Sequence, residues 1–354
     1  GLFVYPGLID AGTQVGLYDI GSVPGSVDTR ELGAFNPHND ALTAVNAHSE
    51  HVRTTRVNGV TSVLTSAGGS MVAGSAALID LTGWTSDEMA VVHRAGMVIE
   101  YPRVSGGGRF GRPAGGEDAN AALSRQVQQL HDYFRKAKAY SDAKARLATE
   151  GRTPTPPDLP MEGMVPVVRG ELTVVVDADD EAQIRGALAL ADSFGVKVIV
   201  RGASEGWRLA DTLAARRVPV IVGPTTRSPG GDDPYDMIYA NPGVLAKAGV
   251  TIAFQTSSVA DSRNLPFNAA LATAYGLDAD AALAAVTLNP ARIFGAADRL
   301  GSLEAGKQAN VIVTTGDPLD VRTQVREIFI RGQRQPLSDR HTELYEKFRG
   351  RPTP

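Results

Sequence analysis

Imidazole is the side chain that most often binds a catalytic transition metal or carries a proton near neutral pH, and it is scarce here. The six histidines are His38, His48, His51, His93, His131 and His341, so none lies between residues 132 and 340. His48 and His51 are three apart, which turns both to one side of a helix, with His38 nearby. Zinc wants further ligands at matching spacing, and none stands close, so these three read as solvent-facing or capping histidines. The chain has no cysteine, which removes thiolate metal sites, disulfides and a thiol nucleophile. Gly106-Gly107-Gly108-Arg109-Phe110-Gly111 satisfies G-x-G-x-x-G, but a dinucleotide site needs a helix opening at once. The next helix is expected only from about Asp118, so a loop on the active face is the reading. Gly68-Gly69-Ser70 is no G-x-S-x-G elbow, and no Walker A sequence occurs.

The elements that must position any site follow from periodicity. Leu8-Ile9-Asp10-Ala11, after Pro6 and Gly7, reads as a buried strand, and residues 16 to 37, rich in Gly, Pro, Asn and Asp, read as a long loop. A helix is expected from Asn39 to Asn58 with Gly59 as its C-terminal cap, then a strand from Val60 to Ser66. Ala76 to Thr82 follows as an unassigned segment, with a short helix near Ser86 to Ala95 and an apolar strand from Met97 to Tyr101. Asp118 to about Thr149 is a long amphipathic helix with Leu123, Val127, Leu130 and Phe134 on one face, and a proline-rich connector runs to Pro166. Tyr133 and Tyr140 on this helix offer a partner surface, with packing against the body of the protein as the default.

Strands at Leu172 to Val176, Lys197 to Val200, Val218 to Val222 and Val250 to Phe254 then alternate with helices at Glu181 to Phe194, Gly206 to Arg216 and Pro242 to Ala248. Helices at Phe267 to Tyr275 and Ala279 to Val286 come next. Repeated βα units argue for a parallel sheet buried on both faces, and their number favours a closed (β/α)8 TIM-type barrel over a doubly wound open sheet. After Gly301 two strands, Asn310 to Thr314 and Val325 to Arg331, read as a small β-domain, followed by a polar, partly helical tail from Pro336.

The chain has 354 residues, 43% hydrophobic and 21% charged, enough for a large core. The net charge of -4 is spread without basic blocks, so nucleic acid is not an expected partner. No apolar run reaches the roughly 18 residues of a membrane span. The absence of cysteine does not choose a compartment.

Thr287-Leu288-Asn289-Pro290-Ala291-Arg292-Ile293-Phe294-Gly295, then Gly301-Ser302-Leu303-Glu304-Ala305-Gly306-Lys307-Gln308-Ala309-Asn310, resembles the amidohydrolase signature T-x-N-P-A-x-x-x-G followed by G-S-L-x-x-G-K-x-A-D. Pro6-Gly7-Leu8-Ile9-Asp10-Ala11 resembles that superfamily's opening strand, and the imidazolonepropionase-like branch is the nearest in character. The resemblance implies a barrel over 8–300, with a small β-sandwich built from both chain ends: residues 1–7 at its entry, 301–335 as its later strands and 336–354 as a tail. It also implies that the N-terminal half of the sandwich precedes Gly1, so that a further segment or a neighbouring subunit should cover a strand edge. Export to a bacterial periplasm is slightly favoured for this branch.

Active members hold metal at the C-terminal ends of strands one, five, six and eight. By the resemblance, those positions are Gly12 and Gln14 in place of the first two histidines, Asp177 and Arg201 in place of the next two, and Ser257 in place of the aspartate that serves as ligand and base. No bound metal or other cofactor is therefore expected, and the implied function is a pseudoenzyme acting as a binding or scaffold subunit with a protein partner or active paralogue. Two alternatives stay open. Asp10, Glu100, Asp177 and Asp179 gathered at the barrel mouth would make a rebuilt site for Mg or Ca and a living hydrolase of amides or cyclic amides. Alternatively, the vacated mouth binds a small ligand. Against the first, Asp10 reads as a buried carboxylate bonded to backbone, Asp179-Asp180 as the start of a helix, and Asp177 as a partner for Arg201.

Overall fold

A computed structural model describes residues 1–103, 119–153, 156–228 and 233–351. The Gly106 to Gly111 motif lies outside the described residues. Among the described residues twelve strands form two sheets: β1 (Phe3–Pro6), β2 (Leu8–Thr13), β3 (Val60–Thr65), β4 (Gly74–Asp80), β5 (Ala90–Glu100), β6 (Val174–Ala178), β7 (Val198–Gly202), β8 (Val220–Val222), β9 (Ile252–Phe254), β10 (Val311–Thr314), β11 (Val325–Ile330) and β12 (Gln333–Gln335). The larger sheet runs β2 to β9 in sequence order, and the smaller has the order β1-β10-β11-β12. A nearly closed barrel beside a small β-domain is the architecture expected from the sequence. The ends of the larger sheet meet where Ser257 N donates to Gly12 O at 2.9 Å.

Strand alternation explains two separate cores. Every barrel strand sends at least one residue inward: Ile9, Leu64, Leu78, Val98, Val175, Ile199, Ile221 and Ala253 share one buried cluster. Their neighbours face outward: Val63, Ile79, Val174, Val176, Val198, Val200, Val220 and Phe254 join the other cluster with helix residues such as Ile184, Leu188, Leu213 and Leu245. A period of two thus places alternate residues of a nearly continuous apolar run in opposite cores, as a sheet buried on both faces requires.

Several local expectations are corrected. The unassigned segment at Ala76 is β4, antiparallel to both β3 and β5, so seven barrel strands are parallel and one is reversed. The helix expected over Ser86 to Ala95 stops at Met89, capped at its start by Thr85, and the β-branched run beginning at Ala90 continues as β5. The helix expected from Asn39 to Asn58 is two short ones, Ala41–Ala44 and Glu50–Arg56, each with its own cap from Asp40 or Ser49. Asp19 holds the break open by accepting from Asn46 Nδ2 at 2.8 Å and from the Ser49 hydroxyl. The proline-rich connector contains a helix, Leu159–Val168, because Pro160 sits in its first turn, where a missing N–H costs nothing.

The long helix is Ala119–Thr149, with Leu130 and Phe134 fully buried and Leu123 and Val127 half-buried. Tyr133 stacks on Phe35 with ring centroids 4.1 Å apart, and Tyr140 donates to Glu162 at 2.7 Å, so both are used in packing. No helix among the described residues is long and apolar enough to cross a membrane.

The β-domain is pinned to the barrel by one buried carboxylate. Asp80, fully buried at the end of β4, accepts from Ser62 Oγ at 2.8 Å, Asn310 Nδ2 at 2.8 Å and Arg331 Nε at 2.7 Å. Ser62 belongs to β3, while Asn310 and Arg331 flank β10 and β11, so this cluster spans the junction. Within the small sheet β1 is an edge strand, and Leu2, Phe3 and Val4 are each more than half exposed.

Candidate functional site

Because β2, β3 and β5 to β9 run in one direction, their C-terminal ends form a single rim. A cleft of about 770 Å³ opens there, and a deeper one of about 200 Å³ adjoins it. Glu100, Asp177, Arg201, Gln255 and Ser257 line both, while Gly12 and Gln14 line the deeper part and Asp179 the outer part. All the rim positions singled out in the sequence are therefore brought together, except Asp10.

Asp177 and Arg201 stand directly opposite each other in the β6–β7 register. Arg201 Nε and Nη2 donate to the two Asp177 oxygens at 2.5 and 2.7 Å, and Nη1 donates to Ser66 Oγ at 2.9 Å. Burial works against the guanidinium charge, but Asp177 and Glu100 outweigh it and hold the Arg201 pKa above its ordinary value. The cation is fixed in a bidentate fork on the floor of the cleft.

The other carboxylates are also engaged. Glu100 accepts from the Gly69 N–H, and Asp179 accepts from Arg227 Nη2 at 3.2 Å. Asp180 is the N-cap of the helix Glu181–Phe194, accepting from Gln183 N at 2.8 Å. Asp10 is fully buried below the rim and accepts from Gly12 N at 3.0 Å, Thr256 N at 3.1 Å and Thr256 Oγ1 at 2.5 Å. It ties β2 to the segment after β9, the bonded-carboxylate role expected for it.

Desolvation pushes the Asp10 pKa up to about 7 against the pull of those three donors. A raised carboxylate binds its proton more tightly folded than unfolded, so its contribution to stability is present at low pH and lost as pH rises from about 4 to about 7. Asp10→Asn removes that loss, while its amide still accepts the two backbone N–H groups. We expect the variant to be more stable than the parent at pH 8 by roughly 1–2 kcal/mol and to lose the advantage near pH 4, measured by urea denaturation. Equal stability offsets at both pH values would contradict it.

Two rim residues were not anticipated. Ser66 follows β3 and Gln255 follows β9, and their only sequence signal is a polar residue at the C-terminal end of a barrel strand. Gln255 donates from Nε2 to Gly223 O at 3.0 Å and packs its side chain over Gly12. A Cβ at position 12 would stand 2.3 Å from Gln255 Oε1 and 3.4 Å from Arg201 Cδ. Ser257 holds a left-handed backbone, φ 56°, an uncommon conformation for a residue with a side chain.

Residues 237–337 match the amidohydrolase family. The match runs from the helix Met237–Lys247 through β12. An amidohydrolase from Thermotoga maritima MSB8 has the same fold over 94% of this chain and 87% of its own, with a TM-score of 0.83 and 27% identity. A 5-methylthioadenosine/S-adenosylhomocysteine deaminase from Teredinibacter turnerae is 37% identical over 89 residues, and the amidohydrolase tasK of Hapsidospora irregularis is 36% identical over 93. Those stretches span only 20% and 10% of the two relatives' lengths.

Amidohydrolase chemistry generally rests on a divalent metal at this rim, so the donor set decides whether the residues here suit one. They do not. Gly12 offers no donor, Gln14 and Gln255 offer amides, Ser257 a hydroxyl, and Asp177 spends both oxygens on a guanidinium. Among the described residues, no three His, Cys, Asp or Glu side chains gather closely enough to hold an ion. Of the four carboxylates Asp10, Glu100, Asp177 and Asp179, each meets a separate protein donor, and Asp10 lies beneath the cleft rather than in it. The histidines do not rebuild a site either. His51 Nε2 meets Asp19 O at 3.2 Å, His48 packs edge-on to Trp84, and His38 is exposed.

Proposed function

We propose that this chain is a catalytically inactive amidohydrolase-fold protein that acts as a binding or scaffold subunit in a larger assembly. The family match and the names of its relatives support descent from hydrolases of carbon–nitrogen bonds. The observation that carries the reading is the Arg201–Asp177 fork on the cleft floor, where a fixed cation stands against the only carboxylate that faces both clefts from β6. Metal-assisted hydrolysis needs a metal-bound water, and among the described residues no three His, Cys, Asp or Glu side chains gather to hold that metal.

The test is elemental analysis of purified protein beside assays on amides, cyclic amides and dipeptides with Zn, Mn and Mg added. We expect substoichiometric metal and no divalent-dependent turnover. Stoichiometric metal at the rim, or an activity abolished by Asp177→Ala, would establish the hydrolase instead.

A second reading rests on the size of the mouth. A cleft of about 770 Å³ lined by both signs of charge is large enough for a small polar molecule, and binding there is compatible with a scaffold role.

A further inference from the structure

Away from the rim, a groove of about 770 Å³ runs along the helix Glu50–Arg56, between the Gly83-Trp84 turn and β12. Three arginines line it, and two have carboxylate partners. Arg53 pairs with Glu50 and Glu343, and Arg331 pairs with Asp80. Arg56 differs. It is 6% exposed, its Nη1 donates to Leu81 O and Gln335 Oε1 at 3.0 Å each, and among the described residues it has no carboxylate partner. Its Nε is buried without a hydrogen bond. Burial first, then the neighbouring Arg53, push its pKa below the ordinary value, as for a cation short of compensation.

A buried charge without a counter-charge is costly, and native proteins rarely leave one. In the same groove Trp84 is 77% exposed, held by its backbone N–H on Glu88 Oε2 at 2.9 Å and touched edge-on by His48 at 6.0 Å between centroids. A flat aromatic face left to solvent in the same groove as a guanidinium without a counter-charge is complementary to a planar apolar group that carries a negative charge. The volume falls within the range of small-molecule sites.

We propose that this groove binds a small aromatic carboxylate, its carboxylate on Arg56 and its ring against Trp84. Glu88, the single carboxylate among the lining residues, accepts from the Trp84 backbone N–H and favours a monoanion over a polyanion. The site is distinct from the barrel mouth, and its occupancy does not depend on whether the rim is catalytic.

Benzoate titrated into the full-length protein by calorimetry is the test, with benzamide as the uncharged control. We expect saturable one-site binding of benzoate, binding of benzamide at least tenfold weaker, and a rise in Kd of at least tenfold in both Arg56→Gln and Trp84→Ala. Trp84 is exposed, so its variant folds and decides the matter even where Arg56→Gln does not. Absence of benzoate binding, equal binding of benzamide, or a Kd unmoved by Trp84→Ala would overturn the proposal.

Discussion

Asp80→Ala is expected to lower the stability of this protein by about 3–5 kcal/mol, the usual cost of removing one partner from a buried ion pair. The substitution deletes the acceptor of three donors at once. Ser62 Oγ, Asn310 Nδ2 and Arg331 Nε all donate to the Asp80 carboxylate; without it Asn310 Nδ2 keeps Ser62 Oγ at 3.2 Å and Ser62 Oγ keeps Thr61 Oγ1 at 3.5 Å, so the loss falls mainly on the Arg331 charge. Arg331 has further bonds to the Glu88 and Met89 carbonyls, so its charge stays at the junction without its counter-ion. Asp80→Asn keeps the shape and one acceptor, so it should cost distinctly less. The measurement is the urea midpoint of both variants; a loss under about 1 kcal/mol for the alanine would show that the junction is held mainly by its apolar contacts.

Arg201→Met is expected to cost about 3 kcal/mol, less than the Asp80 change because Asp177 is partly open to water and can rehydrate. The guanidinium makes three hydrogen bonds from a nearly fully buried position, and methionine fills most of its volume while supplying none of them. Arg201→Lys restores the charge but not the planar fork, so it should recover only part of the loss. Pairing Arg201→Met with Asp177→Ser in a double-mutant cycle reads the interaction directly: the double variant should be less damaged than the sum of the singles. Strict additivity would mean that the two residues act independently.

How far the site was legible depended on which residues sit opposite one another. Asp177 and Arg201 occupy equivalent ends of adjacent parallel strands, and both strands were plain in the sequence as short β-branched runs, so their contact followed. Gln255 was invisible because its role comes from side-chain bulk laid over a glycine, a relation between strands distant in sequence. Ser66 was missed because a serine after a strand is ordinary loop chemistry until an arginine from another strand reaches it. In the fold, the second half of the barrel was readable because strand and helix alternate with clear periods. The first half was not, since Val91 and Val92 follow directly on a capped helical turn, and the single turn was extended over residues that pair in β5. Pro160 and Pro166 were read as breakers, yet one lies in the first turn of a helix and the other inside it. Position within an element decided what each proline did.

The reversed strand β4 also bears on how the chain reaches its final shape. In a regular βα barrel, neighbouring strands are joined only after an intervening helix has been laid down. Here β3, β4 and β5 form a meander whose members are separated by eight and nine residues, so their pairing closes short loops. Short loops cost the least chain entropy to close, and contacts of low sequence separation form fastest. The meander is therefore a local seed on which the parallel strands β2 and β6, which must be gathered from farther along the chain, can add one at each edge.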